Sequence, residues 1–163
     1  MRLMKCLLLT LLITMMMSFS CYAQISESDL NIGGIYYGQT MEDVVKKLGQ
    51  PVRRERTPPA GSAPVFRCGN SEIMVRFDRS NRVSLVLILQ GNDLFTPRGI
   101  GVGSTYDEVI KTYGKPYEEK SSYVKYCIPK GKTARTELIF WINTDRIVRT
   151  IEFTYWDDAD YLG

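Results

Sequence analysis

Gly34-Ile35-Tyr36-Tyr37-Gly38-Gln39-Thr40-Met41-Glu42-Asp43-Val44-Val45-Lys46-Lys47-Leu48-Gly49-Gln50-Pro51 recurs 65 residues later as Gly99-Ile100-Gly101-Val102-Gly103-Ser104-Thr105-Tyr106-Asp107-Glu108-Val109-Ile110-Lys111-Thr112-Tyr113-Gly114-Lys115-Pro116. Eight of the eighteen aligned positions are identical, where unrelated sequence gives about one. Each copy specifies a short helix. Thr40 is suited to the N-cap, where its hydroxyl accepts from an orphan amide of the first turn. Glu42 and Asp43 favour the positive end of the helix dipole. Met41, Val44, Val45 and Leu48 follow the i, i+3, i+4, i+7 spacing of one apolar face, and Gly49 and Pro51 stop the helix. In the second copy Thr105 caps and Glu108 completes a capping box. Tyr106, Val109, Ile110 and Tyr113 make the face, and Gly114 and Pro116 end it. A helix of about nine residues does not stand alone in water, so each face must pack on something.

The partner is β-structure. Pro58–Pro64 reads as a loop, Val65–Cys68 as a strand, and Gly69-Asn70 as a tight turn. From Glu72 to Asp78 apolar Ile73, Val75 and Phe77 alternate with Glu72, Met74 and Arg76. After the Asp78–Asn81 turn, Val83, Leu85, Leu87 and Leu89 form the expected inward face of the next strand. In the second half Tyr123–Ile128 is a strand and Pro129–Arg135 a basic hairpin loop. Leu138, Phe140 and Ile142 then alternate, and Ile147–Tyr155 is the last strand. The expected fold is α+β: two tandem repeats, each a short helix followed by a three-stranded antiparallel meander, forming one compact two-part domain. The boundaries are 1–23 for a signal peptide, 24–33 for a polar and loosely held mature N-terminal segment, 34–92 for the first repeat, and 93–163 for the second repeat with a C-terminal tail.

Residues 1–23 have the layout of a secretory signal: basic Arg2 and Lys5, an apolar run from Leu7 to Met17, and Cys21-Tyr22-Ala23 resembling a cleavage site. The run is short for a membrane span. A lipid anchor at Cys21 is the variant reading, although Ser18 stands where a lipoprotein signal usually has leucine. Without this segment the net charge falls from +3 to +1, which leaves no electrostatic case for a nucleic-acid partner. The chain has no histidine, so histidine-based catalysis and histidine metal ligands are excluded. No catalytic residue, metal ligand set or cofactor is called. Cys68 and Cys127 could form one disulfide in an exported protein. As a catalytic thiolate, either would lack a histidine to activate it.

The Ile-x-x-Gly-x-Thr opening, the acids of the first turn, the Val at the fourth helical position and the Gly-x-Pro stop resemble the small lipoproteins of the outer-membrane β-barrel assembly machinery. In tandem they resemble the β-lactamase inhibitor protein and its relatives. The resemblance implies an exported, non-enzymatic, protein-binding module, in which the open face of a sheet made by both repeats grips the partner. The sequence departs from that pattern in having two mature cysteines in place of a disulfide in each repeat.

A sheet covered on one face is expected to be polar on the other. Ile139 and Trp141 break that rule on the face opposite Leu138, Phe140 and Ile142, and Met74 and Arg76 hold the corresponding places in the first repeat. Trp, Tyr, Met and Arg are enriched at interfaces. Met74, Arg76, Ile139 and Trp141 are therefore the candidate contacts for another envelope or secreted protein, with Tyr36 and Tyr37 as a second location. The alternative for Ile139 and Trp141 is a core position covered by the C-terminal tail. The alternative functions are an envelope assembly or scaffold lipoprotein and a small-ligand-binding domain. The expected location is periplasmic or secreted.

Overall fold

The computed structural model describes residues 25–57, 61–132 and 134–157. Cys21 and the expected cleavage site lie outside them, as does the tail after residue 157. The order is β1 (Asn31–Ile32), β2 (Ile35–Tyr36), α1 (Met41–Leu48), β3 (Arg53–Arg56), β4 (Ser62–Cys68), β5 (Ser71–Phe77), β6 (Val83–Gln90), α2 (Tyr106–Tyr113), β7 (Glu118–Lys120), β8 (Tyr123–Lys130), β9 (Ala134–Ile142) and β10 (Val148–Asp157). β1 and β2 form a small hairpin. The other eight strands make one antiparallel sheet in the order β3-β4-β5-β6-β10-β9-β8-β7.

The expected pair of three-stranded meanders is thus corrected. Each helix is followed by four strands, and the strands join into a single eight-stranded sheet through β6 and β10. A two-part domain is also corrected, because one core runs through both halves. It contains Val44, Phe66 and Ile73 together with Val109, Tyr113 and Phe140.

Both helices form as their ends dictate. The Thr40 hydroxyl accepts from the Asp43 amide, and Thr105 with Glu108 makes a reciprocal capping box. Contacts around the two helix starts recur 65 residues apart. The Met41 amide donates to the Asn81 carbonyl and the Tyr106 amide to that of Arg146. Among the described residues, Asn81 and Arg146 are the two non-glycine residues with positive φ, 57° and 59°. These turns fix each helix against the last strand of its half.

Residues 25–32 are not loosely held. Ile25, Leu30 and Ile32 are core side chains, and buried Asp29 takes the Arg98 guanidinium on both carboxylate oxygens, at 2.6 and 2.7 Å. Glu27 also pairs with Lys130.

The inward face expected for β6 is inverted. Arg76 pairs with Leu85 but Phe77 pairs with Val83, so Ser84 is the extra residue of a β-bulge. The bulge shifts the alternation. Val86 and Ile88 face the helices with Val83, while Leu85, Leu87 and Leu89 pack on the opposite face.

The proposed Cys68–Cys127 bond does not form, and both thiols are free. Cys68 is in β4 and Cys127 in β8, five strand-to-strand steps apart, about 24 Å at the usual strand spacing. A disulfide needs Cα atoms within about 7 Å.

Candidate functional site on the sheet face opposite the helices

Directly paired residues of neighbouring antiparallel strands point to the same face, so the register gives the composition of the face opposite the helices. One row runs Val65, Met74, Leu87, Glu152, Ile139, Lys125 from β4 to β8. A second runs Arg76, Leu85, Thr154, Glu137, Cys127. Trp141 lies between Tyr123 and Thr150 in a third. Met74, Arg76, Ile139 and Trp141 are therefore brought to one face, with the residues of the first half and those of the second separated by β6 and β10.

Their exposures differ. Met74 and Ile139 are 7% and 8% exposed, so they form the floor of the face. Arg76, Trp141, Leu87 and Glu152 are half-buried, and these can be reached. Tyr36 and Tyr37 are elsewhere. Tyr37 stacks on Tyr155 at 5.3 Å and packs against the helix-side core, while Tyr36 is half-exposed beyond it.

Burial on this side is unusual for an open sheet. Ala63, Val65, Met74 and Leu85 form a second apolar cluster, against which Leu87 and Leu89 pack. Charges flank the apolar band. On the β3–β5 flank Glu72 takes Arg53 and, at 3.0 Å, Arg67. On the β7–β9 flank Lys125 joins Glu118 at 2.6 Å and Glu137 at 3.5 Å, and Arg135 reaches Glu137 at 2.7 Å.

Glu152 sits at the centre, and the sequence reading did not single it out. The Trp141 indole N–H donates to its carboxylate at 3.1 Å. Burial pushes the Glu152 carboxyl above the usual range, against the Trp141 bond and the attraction of Arg76, which lower it. The Glu137 charge adds to the rise. The indole is held in turn. Its ring meets Tyr123 edge-on at 5.3 Å, and the Tyr123 hydroxyl donates to Glu118 at 2.8 Å. Lys125, Tyr123 and Lys120 hold the Glu118 carboxyl down at about 2. The sequence carries no signal for Glu152, because a bulge sets the hairpin register. Counting back from the pairing of Ile142 with Val148 would set Ile151 opposite Ile139, and the bulge between Val148 and Thr150 puts Glu152 there instead, on the face the candidates share.

Both thiols are half-buried. Burial raises Cys68, with Asp93 adding to the rise, and burial followed by Glu137 raises Cys127. Among the described residues no group of three or more acids and cysteines is placed to hold a metal ion. No helix among them is long and apolar enough to cross a membrane.

No protein-family model matches the sequence, and no curated protein matches it. Solved structures do. An extracellular protein containing a SCP domain from Bacillus anthracis aligns over 85% of this chain and 50% of its own length, with a TM-score of 0.57 at 14% identity. A cysteine-rich secretory protein from Staphylococcus aureus aligns over 72% of this chain and 44% of its own, with a TM-score of 0.49 at 14% identity. A DUF4309 family protein from Bacillus subtilis aligns over 72% and 78%, with a TM-score of 0.45 at 18% identity. The chain spans half the length of the Bacillus anthracis protein. At such identities the likeness shows the fold alone. Neither of the two families the sequence resembles is among these three.

Proposed function

We propose that this chain is an exported binding module that holds another exported or envelope protein on the sheet face opposite its helices. Export is supported by the signal-like residues 1–23 and by the extracellular character of the Bacillus anthracis protein of similar fold. The observation that carries the binding role is the apolar band on that face, with half-buried Leu87 and Trp141 beside a half-buried carboxylate. Solvent alone favours polar side chains there. An interface uses this combination: an aromatic anchor held in one orientation, an apolar floor and a charged rim.

A binding role also fits the chemistry better than a reaction. The Glu152 carboxylate contacts an indole donor rather than a nucleophile, and the two thiols are raised rather than activated.

The test is differential capture from envelope and culture extracts. The exported protein is compared with a Trp141→Ala, Arg76→Ala double variant and with a Phe95→Ala, Tyr117→Ala control. Phe95 and Tyr117 are more exposed than Trp141 but lie outside the three rows of this face. A protein captured by the wild type and the control, and lost with the double variant, supports the reading. A protein lost with the control and kept by the double variant places binding elsewhere.

A further inference from the structure

Among the described residues, Glu152 is the one carboxylate of this face without a salt bridge. Glu55 pairs with Arg53, Glu72 with Arg53 and Arg67, Glu118 with Lys120 and Lys125, and Glu137 with Lys125 and Arg135. Arg76 is the matching cation. It attracts Glu152 yet makes no salt bridge with it. The register explains the gap: Glu152 pairs with Leu87, whereas Arg76 pairs with Leu85. The two charges stand on opposite sides of β6 and one row apart, with leucines between them.

A charge drawn out of water needs a partner, and here each charge has the other nearby but out of contact. We infer that the bound protein completes both pairs: an extended segment places a lysine or arginine side chain on Glu152 and an aspartate or glutamate on Arg76. This rests on the binding reading above and deepens it. The surroundings of Glu152 suit a long cation. Met74, Leu87 and Ile139 lie in its row and offer apolar surface to an aliphatic stem. The Trp141 ring beside the carboxylate offers an aromatic surface to an ammonium or guanidinium head. Glu152 and Arg76 stand two strand steps and one row apart, about 12 Å at the usual spacings, which suits residues i and i+4 of an extended segment, on one side and about 13 Å apart. A single cation would leave Arg76 unmatched, and a purely apolar segment would leave both groups desolvated and unpaired.

The probe is a displayed library of random seven-residue peptides, selected on the full exported protein and on its Glu152→Gln, Arg76→Gln and Trp141→Ala variants. Each variant is first shown to melt cooperatively. Peptides selected by the wild type are expected to carry Lys or Arg four residues from Asp or Glu. They should bind Glu152→Gln about tenfold or more weakly. Selection on Arg76→Gln should lose the acid and keep the cation. This second variant tests the same geometry should Glu152→Gln fail to fold. Enriched peptides that depend on Trp141 but lack the cation overturn this inference and leave the binding face standing. No enrichment, or enrichment indifferent to Trp141→Ala, overturns both.

Discussion

Asp29 and Arg98 are joined by two bonds, 2.6 and 2.7 Å long, that tie the first buried turn of the chain to the connection between the two halves. The Asp29 side chain is 3% exposed and that of Arg98 34%. The guanidinium also lies 4.8 Å from the centre of the Tyr113 ring, at the end of α2. The pair anchors residues 25–32 and so completes the core shared by both halves.

Asp29→Ala removes two charge-assisted bonds to a part-exposed guanidinium, so it is expected to cost about 2 kcal/mol in chemical denaturation. The pH dependence has a definite sign. Burial alone would raise the Asp29 carboxyl, but the Arg98 bonds and those from Ser26 outweigh it and hold it below 3.8. A lowered folded pKa gives stability that is full above the unfolded value and is lost as pH falls through the folded one. The wild type should therefore lose stability below about pH 4 more steeply than Asp29→Ala. Parallel curves for the two proteins would refute this role.

Asn81 occupies the left-handed region at φ 57°, where a side chain with a Cβ is strained and glycine is not. Its carbonyl accepts the first amide of α1, from Met41. Asn81→Ala is expected to destabilise by about 1 kcal/mol, and Asn81→Gly to fall within a few tenths of the wild type. Equal losses in the two variants would show that the side chain, rather than the backbone, is what matters. Urea midpoints distinguish the cases.

The helices were legible in the sequence because their signals are local. Thr40, Thr105, Gly49 and Gly114 act within one turn of themselves. β3 and β7 were not legible. Arg53-Arg54-Glu55-Arg56 and Glu118-Glu119-Lys120 have no apolar alternation, since edge strands carry charge that discourages further pairing. Their hydrogen bonds go to β4 and β8, which only the folded register reveals. β6 was read in the wrong phase for a different reason. Val83-Ser84-Leu85-Val86-Leu87-Ile88-Leu89 is apolar at both parities, so alternation gives no phase, and a bulge at Ser84 shifts it part-way. The four main candidate contacts did reach one face, because strand alternation carries them there whatever the phase of β6. Glu152 lies among them only because a bulge between Val148 and Thr150 shifts the register of β10.

Glu152 is expected to weaken the free protein at neutral pH. Burial raises its folded carboxyl pKa above 4.5. The folded state therefore holds a proton that the unfolded state has already released, and stability falls as pH rises through that window. Glu152→Gln should be more stable than the wild type at pH 7 and should converge with it toward pH 4. Such a cost at rest is usual for a residue kept for binding. A Glu152→Gln variant less stable than the wild type at pH 7 would mean that the carboxylate is structural.

Cys68 and Cys127 should both be found as thiols in the purified protein. Its intact mass after alkylation under denaturing conditions should show both labelled. Labelling of the folded protein should be slow, because burial raises both thiols. A mass two hydrogens short, with neither cysteine labelled, would contradict the strand order.

The most direct measurement places a photo-crosslinking amino acid at Leu87, and in a separate protein at Tyr117, followed by irradiation of cells exporting each. The expected result is a discrete crosslinked protein from position 87 and none from position 117. A crosslink from position 117 with none from position 87 would contradict binding on the face opposite the helices.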